Sequence, residues 1–378
     1  MDIVTEGKAR FYASEDKDGK ISKELDVFYN PVMKFNRDVS VLLLNALHDL
    51  DGLEDFQICD IMAGSGVRAL RFLKELDKGT IKNITVSDYD KNFKKLFDKN
   101  LVLNKIKKGK DIIIKSEDAN ILLLKSAGFD YIDIDPFGSP NPFLDAAAVR
   151  ISRDGILAVT ATDTAPLSGT YPDACQRKYW ARPLRNHLMH EIGLRILVRK
   201  VQLIGAQHEK ALVPVYSYFK DHYFRIFFRC VKGKKECDDI LDQHKFFLYC
   251  DKCMNHTVDS FNSGTCKVCS SKMTYAGPLF VGKLFDEKLA DRISKNNTEK
   301  SNKNFLETIS EESHSALVGF HDIHALAKKH KLSVPSSEKI ISSIKAKGYA
   351  VCRTHFTPLG LKTDIPSREL ALLIDELK

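Results

Sequence analysis

Apolar and polar positions along the first 160 residues fall into blocks whose period switches back and forth. Short apolar runs at Phe56–Met62, Asn83–Ser87, Asp111–Lys115, Phe129–Asp135 and Gly155–Thr160 read as strands. Between them the spacing turns helical: a helix to about Asp77, another to Asn104, then Ala119–Ser126 and Pro142–Ile151. Strand and helix in alternation predict a parallel sheet with helices on both faces. Residues 1–55 read as a polar lead-in followed by an amphipathic helix around Asn36–Leu50, with Asn36 or Asp38 available as its cap. Further on, Ala211–Phe219 and His222–Lys232 flank the turn Lys220-Asp221 and predict an antiparallel hairpin.

That hairpin separates two fold families. Five parallel strands closed by an antiparallel pair resemble the class I S-adenosylmethionine-dependent methyltransferases rather than a plain dinucleotide-binding fold. The cofactor side supports this residue by residue. Asp60-Ile-Met-Ala-Gly-Ser-Gly66 follows a strand and opens a helix, so Gly64 and Gly66 let backbone approach a ligand. The second strand ends at Ser87-Asp-Tyr-Asp90, 22 residues after Gly66, where Asp88 can accept both ribose hydroxyls of an adenosine. After the third strand, Ser116-Glu-Asp-Ala119 brings Asp118 toward an adenine amino group. Arg68, in the first turn after the glycine loop, and Arg37 are candidates to clamp a carboxylate bidentately.

The fourth strand ends in Asp133-Ile-Asp-Pro-Phe-Gly-Ser-Pro140. Open α/β sheets place their ligands at such carboxyl ends. A carboxylate (Asp135), a proline carbonyl (Pro136) and an aromatic face (Phe137) together grip an exocyclic amine on a flat base. Hydrogen bonds from the amine to Asp135 and the Pro136 carbonyl would turn its lone pair out of the ring, and Asp135 could then accept its proton. Asp133 reads as part of the strand.

Composition changes the picture little. A net charge of +8 and a pI of about 8.8 suit a nucleic acid partner without requiring one. No apolar run of membrane length and no signal-peptide pattern occurs, so neither membrane nor export is expected. Four of the nine cysteines form two Cys-x-x-Cys knuckles, Cys250/Cys253 and Cys266/Cys269, separated by 12 residues. Four thiolates at that spacing make a closed zinc site with no open position for water, and hence a structural one. His256 lies inside the loop but is not needed as a ligand. Reduced thiols imply the cytosol or nucleus, and a cytoplasmic protein is expected.

Arg177, Lys178, Arg182, Arg185, Arg195, Arg199 and Lys200 set seven basic residues against the lone acid Glu191, with Tyr179 and Trp180 among them. That mixture suits phosphate contact with stacking, and also fits a solvated helix face. Lys105–Lys110 is a second basic run, read as a surface turn, and Ser294–Asn304 reads as an exposed loop or linker. The last hundred residues predict a winged-helix-like module. It comprises a helix His321–His330, a second helix capped by Ser333-Val-Pro335 and running to Lys347, and a wing strand Tyr349–Phe356. The expected class is therefore α/β. Residues 1–240 would be a Rossmann-like methyltransferase unit with a mostly parallel seven-stranded sheet. Residues 241–282 would be a zinc ribbon and 283–378 a C-terminal α+β module.

The chain resembles the tRNA guanine-26 N2-dimethyltransferase family over essentially its whole length, and its length is that of archaeal members. The resemblance rests on Glu24-Leu-Asp-Val-Phe-Tyr-Asn-Pro31, Asn36-Arg-Asp38, Asp135-Pro-Phe-Gly-Ser-Pro140, Thr160-Ala-Thr-Asp-Thr-Ala-Pro-Leu-Ser-Gly169 and the cysteine cluster. It implies S-adenosylmethionine contact by Arg37, Arg68, Asp88, Asp118 and Ala119. It also implies base handling by Phe28 and Phe137, and Asp135 as the catalytic acceptor. The implied partner is tRNA, whose flipped guanosine would receive two methyl groups at N2. From the residues alone, two other readings stay open: an amino-methyltransferase of DNA or ribosomal RNA, and a non-catalytic zinc-ribbon RNA-binding protein with a decayed core.

Overall fold

A computed structural model describes residues 2–14 and 27–377; Glu24, Leu25 and Asp26 of the first resembling stretch lie outside them. The chain opens not on a polar lead-in but on an antiparallel hairpin, β1 (Asp2–Glu6) and β2 (Ala9–Ala13). Its inward positions Ala9, Phe11 and Ala13 are buried at period two. Only one of these is large, so the strand signal was weak. The outer edge of β2 is satisfied by side chains: Arg10 N donates to Asn104 Oδ1 (2.8 Å) and Tyr12 N to Asn100 Oδ1 (3.0 Å).

Helix α1 (Lys34–Asp51) starts earlier than Asn36. Asn30 caps the preceding turn at Pro31–Met33, its Oδ1 accepting from Val32 N at 2.9 Å. Asn36 and Asp38 are therefore not caps but buried polar groups inside the helix.

The expected sheet forms. β3 (Phe56–Asp60), β4 (Ile81–Asp88), β5 (Ile112–Ser116), β6 (Phe129–Ile134) and β7 (Ile151–Ala161) run parallel. β8 (Lys210–Lys220) and β9 (Tyr223–Lys232) close it antiparallel, in the order β5-β4-β3-β6-β7-β9-β8. The crossovers are α2 (Val67–Glu75), α3 (Phe93–Leu103), α4 (Ala119–Lys125) and α5 (Leu144–Arg150). Three helices, α6 (Thr164–Leu167), α7 (Pro172–Tyr179) and α8 (Met189–Ala206), lead into the hairpin. β7 begins at Ile151 rather than Gly155, and the hairpin turns at Asp221-His222, with Asp221 at φ 51°. Strand order reverses between β3 and β6, so the carboxyl ends of the central strands open a crevice there.

After α9 (Lys234–Leu241), strands β10 (His244–Tyr249), β11 (His256–Asp259) and β12 (Thr274–Phe280) make a small ribbon. Helices α10 (Glu287–Asn296) and α11 (Lys303–Ser313) follow. Ser294–Asn304 is thus no linker. It holds two helix ends, and buried Asn302 donates Nδ2 to Asp38 Oδ2 at 3.0 Å.

The C-terminal module is α+β. It contains β13 (His321–Asp322), α12 (Ile323–His330), α13 (Ser337–Ala346), β14 (Val351–Arg353), β15 (Gly360–Thr363) and α14 (Ser367–Glu376). Asp322 caps α12 and Ser336 caps α13, so neither helix starts where the spacing placed it. The wing strand, Val351–Arg353, is shorter than expected, and the module closes on a further helix, α14. Among the described residues no helix is long and apolar enough to cross a membrane.

One apolar core runs from Ala9 to Ile374, so the C-terminal module is welded on. The weld is ionic at its centre. Lys362 Nζ donates to both carboxylate oxygens of Glu191 on α8, each at 2.8 Å. Arg195 Nε and Gly319 N add bonds at 2.9 and 3.0 Å. Burial alone would raise the Glu191 carboxyl, but Lys362 and Arg195 prevail and hold it at about 2. Replacing Lys362→Met leaves a buried carboxylate short of its main partner and should cost about 3–5 kcal/mol. Urea unfolding checks this, and a loss below about 1 kcal/mol would place the weld elsewhere.

Candidate active site

The carboxyl ends of β3, β4 and β6 open into one cavity of about 1780 Å³. A typical small-molecule cleft is roughly 300–1,000 Å³, so there is room for a donor and a base together. Gly64, Arg37, Arg68, Asp88, Asp118, Ala119, Asp135, Pro136, Phe137 and Phe28 all line it. Of the site residues read from the sequence, only Gly66 and the four cysteines lie off its wall.

The glycine loop is shaped by what it touches. Gly64 sits at φ +55°, and a Cβ there would come within 3.1 Å of the Phe28 carbonyl. Gly66, at φ +78°, would drive a Cβ into the Phe97 ring at 2.3 Å. Its role is thus to pass α2 close over α3. Gly64 N donates to Asp88 Oδ2 at 2.8 Å, and Asp90 N donates to Oδ1, so the loop and the β4 acid orient each other. Asp118 caps α4, its Oδ1 accepting from Asn120 N and Ile121 N at 3.0 and 3.1 Å.

The two arginines do more than the sequence indicated. Arg37 is held bidentately by Glu6 at 2.7 and 2.5 Å, and also donates to the Asn30 carbonyl. Burial pushes Glu6 upward, but Arg37 and Arg71 outweigh it and bring its carboxyl to about 2. Arg68 grips Asp135 Oδ2 through Nη2 at 2.5 Å, while Nη1 reaches Asn36 Oδ1 and Ser40 Oγ. Its first partner is therefore the catalytic candidate itself.

Asp133 is more than strand. Fully buried Arg225 donates to both its oxygens at 3.0 and 2.7 Å, Tyr131 Oη donates at 2.6 Å, and Arg68 lies 3.4 Å away. Burial opposes its charge, yet Arg225 and Arg68 keep the carboxyl below its usual range.

Asp60 was missed. It ends β3 and lines the cavity, and its buried Oδ2 has no hydrogen-bond partner among the described residues. Burial drives its carboxyl up to about 7, with Arg68 opposing and the nearby Asp133, Asp135 and Asp88 assisting. An orphaned carboxylate oxygen among acids is what a cationic ligand group, an ammonium or a sulfonium, would satisfy. Its position at a strand tip just before the glycine loop was the available signal.

Phe28 and Phe137 meet edge to face, with centroids 4.3 Å apart at 71°. The loop behind Phe137 is braced by Thr162, whose Oγ1 accepts from Gly138 N (2.7 Å) and whose N donates to Gly138 O (3.0 Å). Ser139 Oγ shares a hydrogen bond with Tyr179 Oη at 3.0 Å, and that phenol donates to Asp163 Oδ1 at 2.6 Å.

The ribbon holds Cys250, Cys253, Cys266 and Cys269 with all four Sγ within 4.8 Å of one another. The pairs Cys250–Cys269 and Cys253–Cys266 approach to 3.4 Å. Tetrahedral zinc at about 2.3 Å from each sulfur needs edges of roughly 3.8 Å, so the donor set fits a structural ion. The ribbon's own apolar cluster is only Leu248, Met273 and two of the cysteines with a few half-buried neighbours. His256 stacks instead on Phe247, outside the cluster.

A parallel sheet closed by a hairpin, with a glycine loop and an acidic cavity at its switch point, defines a Rossmann-like class I methyltransferase. Residues 7–375 match the family described as TRM, N2,N2-dimethylguanosine tRNA methyltransferase, and the chain belongs to that family. Among its relatives, a tRNA (guanine(26)-N(2)/guanine(27)-N(2))-dimethyltransferase of Aquifex aeolicus is 39% identical, covering 100% of this chain and 96% of its own. A tRNA (guanine(26)-N(2))-dimethyltransferase of Methanosphaera stadtmanae is 35% identical, covering 100% and 97%. The solved structure of Trm1 from Pyrococcus horikoshii with S-adenosyl-L-methionine is 33% identical and aligns with a TM-score of 0.87 over 99% of this chain and 100% of that one.

Asp60 has a pH signature. Its folded value of about 7 lies above the ordinary 3.8. The contribution of Asp60 to native stability therefore falls as pH rises from about 4 to 7, by an order of a few kcal/mol. The stability difference between Asp60→Asn and wild type should grow in favour of the variant across that window and level off above it. Parallel curves in urea titrations at stepped pH would refute the assignment. For the ribbon, Cys250→Ser should lower zinc content and melting temperature together, read by metal analysis and thermal unfolding. Lost activity with fold and zinc intact would contradict a structural role.

Proposed function

We propose that this protein is a cytoplasmic enzyme that adds methyl groups from S-adenosylmethionine, two in succession, to the exocyclic N2 of guanosine 26 in tRNA. The observation that carries the reading is that Asp135, Pro136 and Phe137 share one cavity with Gly64, Asp88 and Asp118. The names of the relatives support tRNA over DNA or ribosomal RNA as the substrate.

Bound cofactor supplies a methyl group already activated on a sulfonium. Asp88 would accept its ribose hydroxyls, and Asp118 with Ala119 would meet its adenine. Gly64 and Gly66 would give backbone access. Arg37 and Arg68 would face its carboxylate, with Asp60 against its ammonium. The rest of the work falls to the base side. The guanine amine is a poor nucleophile because its lone pair is delocalised into the ring. Hydrogen bonds from the amine to Asp135 and to the Pro136 carbonyl turn that lone pair outward. Arg68 on Oδ2 fixes the carboxylate, leaving Oδ1 for the amine. As the amine acidifies in the transition state, Asp135 takes its proton.

Phe28 and Phe137 would stack on the two faces of the flipped base, replacing the contacts it loses on leaving the helix. A base between two rings needs them about 7 Å apart, so the 4.3 Å pair has to part first. Division into a methyltransferase unit (1–240), a zinc ribbon (241–282) and a C-terminal module (283–378) belongs to the same reading.

Mass spectrometry of nucleosides from an unmodified tRNA transcript, incubated with enzyme and cofactor, identifies base, nitrogen and methyl count. N2,N2-dimethylguanosine is the expected product, and methylation of DNA or ribosomal RNA alone would overturn the reading. Asp135→Asn should lower kcat at least about 10²-fold while cofactor affinity stays within a few-fold. An active variant would remove Asp135 from the chemistry.

A further inference from the structure

The basic stretch 177–200 divides in three dimensions. Arg195 and Lys200 are buried, Arg195 against Glu191 and the Phe280 and Gly282 carbonyls. Arg177, Lys178, Arg182 and Arg185 remain exposed and flank Trp180 in sequence; Lys178 pairs with Asp163 at 3.2 Å, and Arg182 lies over the Tyr275 ring. Arg177 and Arg185 have no carboxylate partner among the described residues.

Trp180 is the only tryptophan of the chain. It follows the last residue of α7 with φ 57° and ψ 35°, in the left-handed region. Glycine fills such a helix-ending position without strain, and a bulky side chain there is an outlier. Among the described non-glycine residues at positive φ, Trp180 is the sole aromatic. Burial does not explain it, because 45% of its surface stays in solvent. Yet the residue is held firmly. Its N donates to the Gln176 carbonyl at 3.1 Å, and its own carbonyl accepts from Arg199 Nη1 at 3.3 Å. Lys200 Nζ stands 2.9 Å from the indole centroid. One face of the ring is thus backed by the ammonium of buried Lys200.

This indole is tied to the catalytic tip. The preceding residue, Tyr179, bonds to Ser139 and Asp163, and Asn141 Nδ2 donates to the Lys178 carbonyl at 2.8 Å. Ser139 lines the cavity two residues beyond Phe137. Anything seated on Trp180 is therefore held in register with Asp135.

Resting on the tRNA reading above, we infer that Trp180 is a fixed stacking platform for a nucleotide flanking the target guanosine, and that the exposed arginines beside it hold the adjoining phosphates. A flipped guanosine leaves its neighbours without a stacking partner. An aromatic face edged by cations suits an unstacked base and its backbone. The ammonium behind the ring adds to the field that draws a polyanion.

The lone tryptophan makes the test direct. Full-length zinc-loaded enzyme is titrated with unmodified tRNA transcript while intrinsic fluorescence is read, and filter binding follows the same titration. Emission should be quenched with the affinity that filter binding gives. Trp180→Ala should raise the KM for tRNA roughly tenfold or more, with cofactor affinity of the free enzyme unchanged, and Trp180→Phe should recover most of the loss. Arg177→Glu with Arg185→Glu should weaken tRNA binding and flatten its salt dependence. If tRNA is bound and methylated but emission does not change, or the alanine variant stays within twofold, the platform is wrong and the enzymatic reading stands. If wild type neither binds nor methylates tRNA, both fall.

Discussion

A single buried carboxylate, Asp133, organises the structure. It is the next-to-last residue of the central strand β6, and Arg225, Arg68 and Tyr131 surround it and keep it charged. Arg225 comes from the antiparallel hairpin and also reaches Thr160 on β7 and Ser40 on α1. Arg68 comes from α2 and passes from Asn36 and Ser40 to Asp135. Each arginine has more acceptors than one, so neither can swing without stranding another group. A buried charge is expensive unless paired and fully hydrogen-bonded. That cost fixes where Asp135 points.

The same logic recurs at the start of α8. Glu191 receives Lys362 from the C-terminal module, and inside that module Glu312 pairs with His355 and lies 3.7 Å from the same Lys362. The ionic contacts sit inside apolar packing that spans the whole chain. The cavity at the switch point and the ribbon beside α8 are thus parts of one body.

How much of this could be read from the sequence depends on the range over which each feature is encoded. Strand–helix alternation, the glycine turn, Asp135-Pro136-Phe137 and the paired cysteines are local patterns, and they appear where the pattern placed them. What escaped was long-range pairing. Arg68 was legible as a cavity residue, but its partner Asp135, 67 residues away in sequence, was not. Asp133 looked like strand because Arg225 lies 92 residues on. Asp60 gave only its position before the glycine loop. The N-terminal hairpin hid behind small inward residues, and Asn302 looked like linker because its partner, Asp38, lies 264 residues before it. A count of basic residues over 177–200 likewise could not separate a buried face of α8 from an exposed end of α7.

The reach of Arg225 has a consequence for how the molecule comes into being. Every strand tip of the cavity has been synthesised by residue 161, the end of β7. Until the hairpin is made, however, Asp133 lacks the guanidinium that holds both its oxygens. A nascent chain ending between β7 and β9 therefore carries all the residues of the pocket without its geometry. Because domains fold as units and the amino-terminal part emerges first, competence arrives late and in one step. A shortened chain is left with a central carboxylate that keeps Tyr131 and Arg68 but lacks its two-pronged partner, a flaw that quality control can detect, rather than a partly working enzyme loose on tRNA.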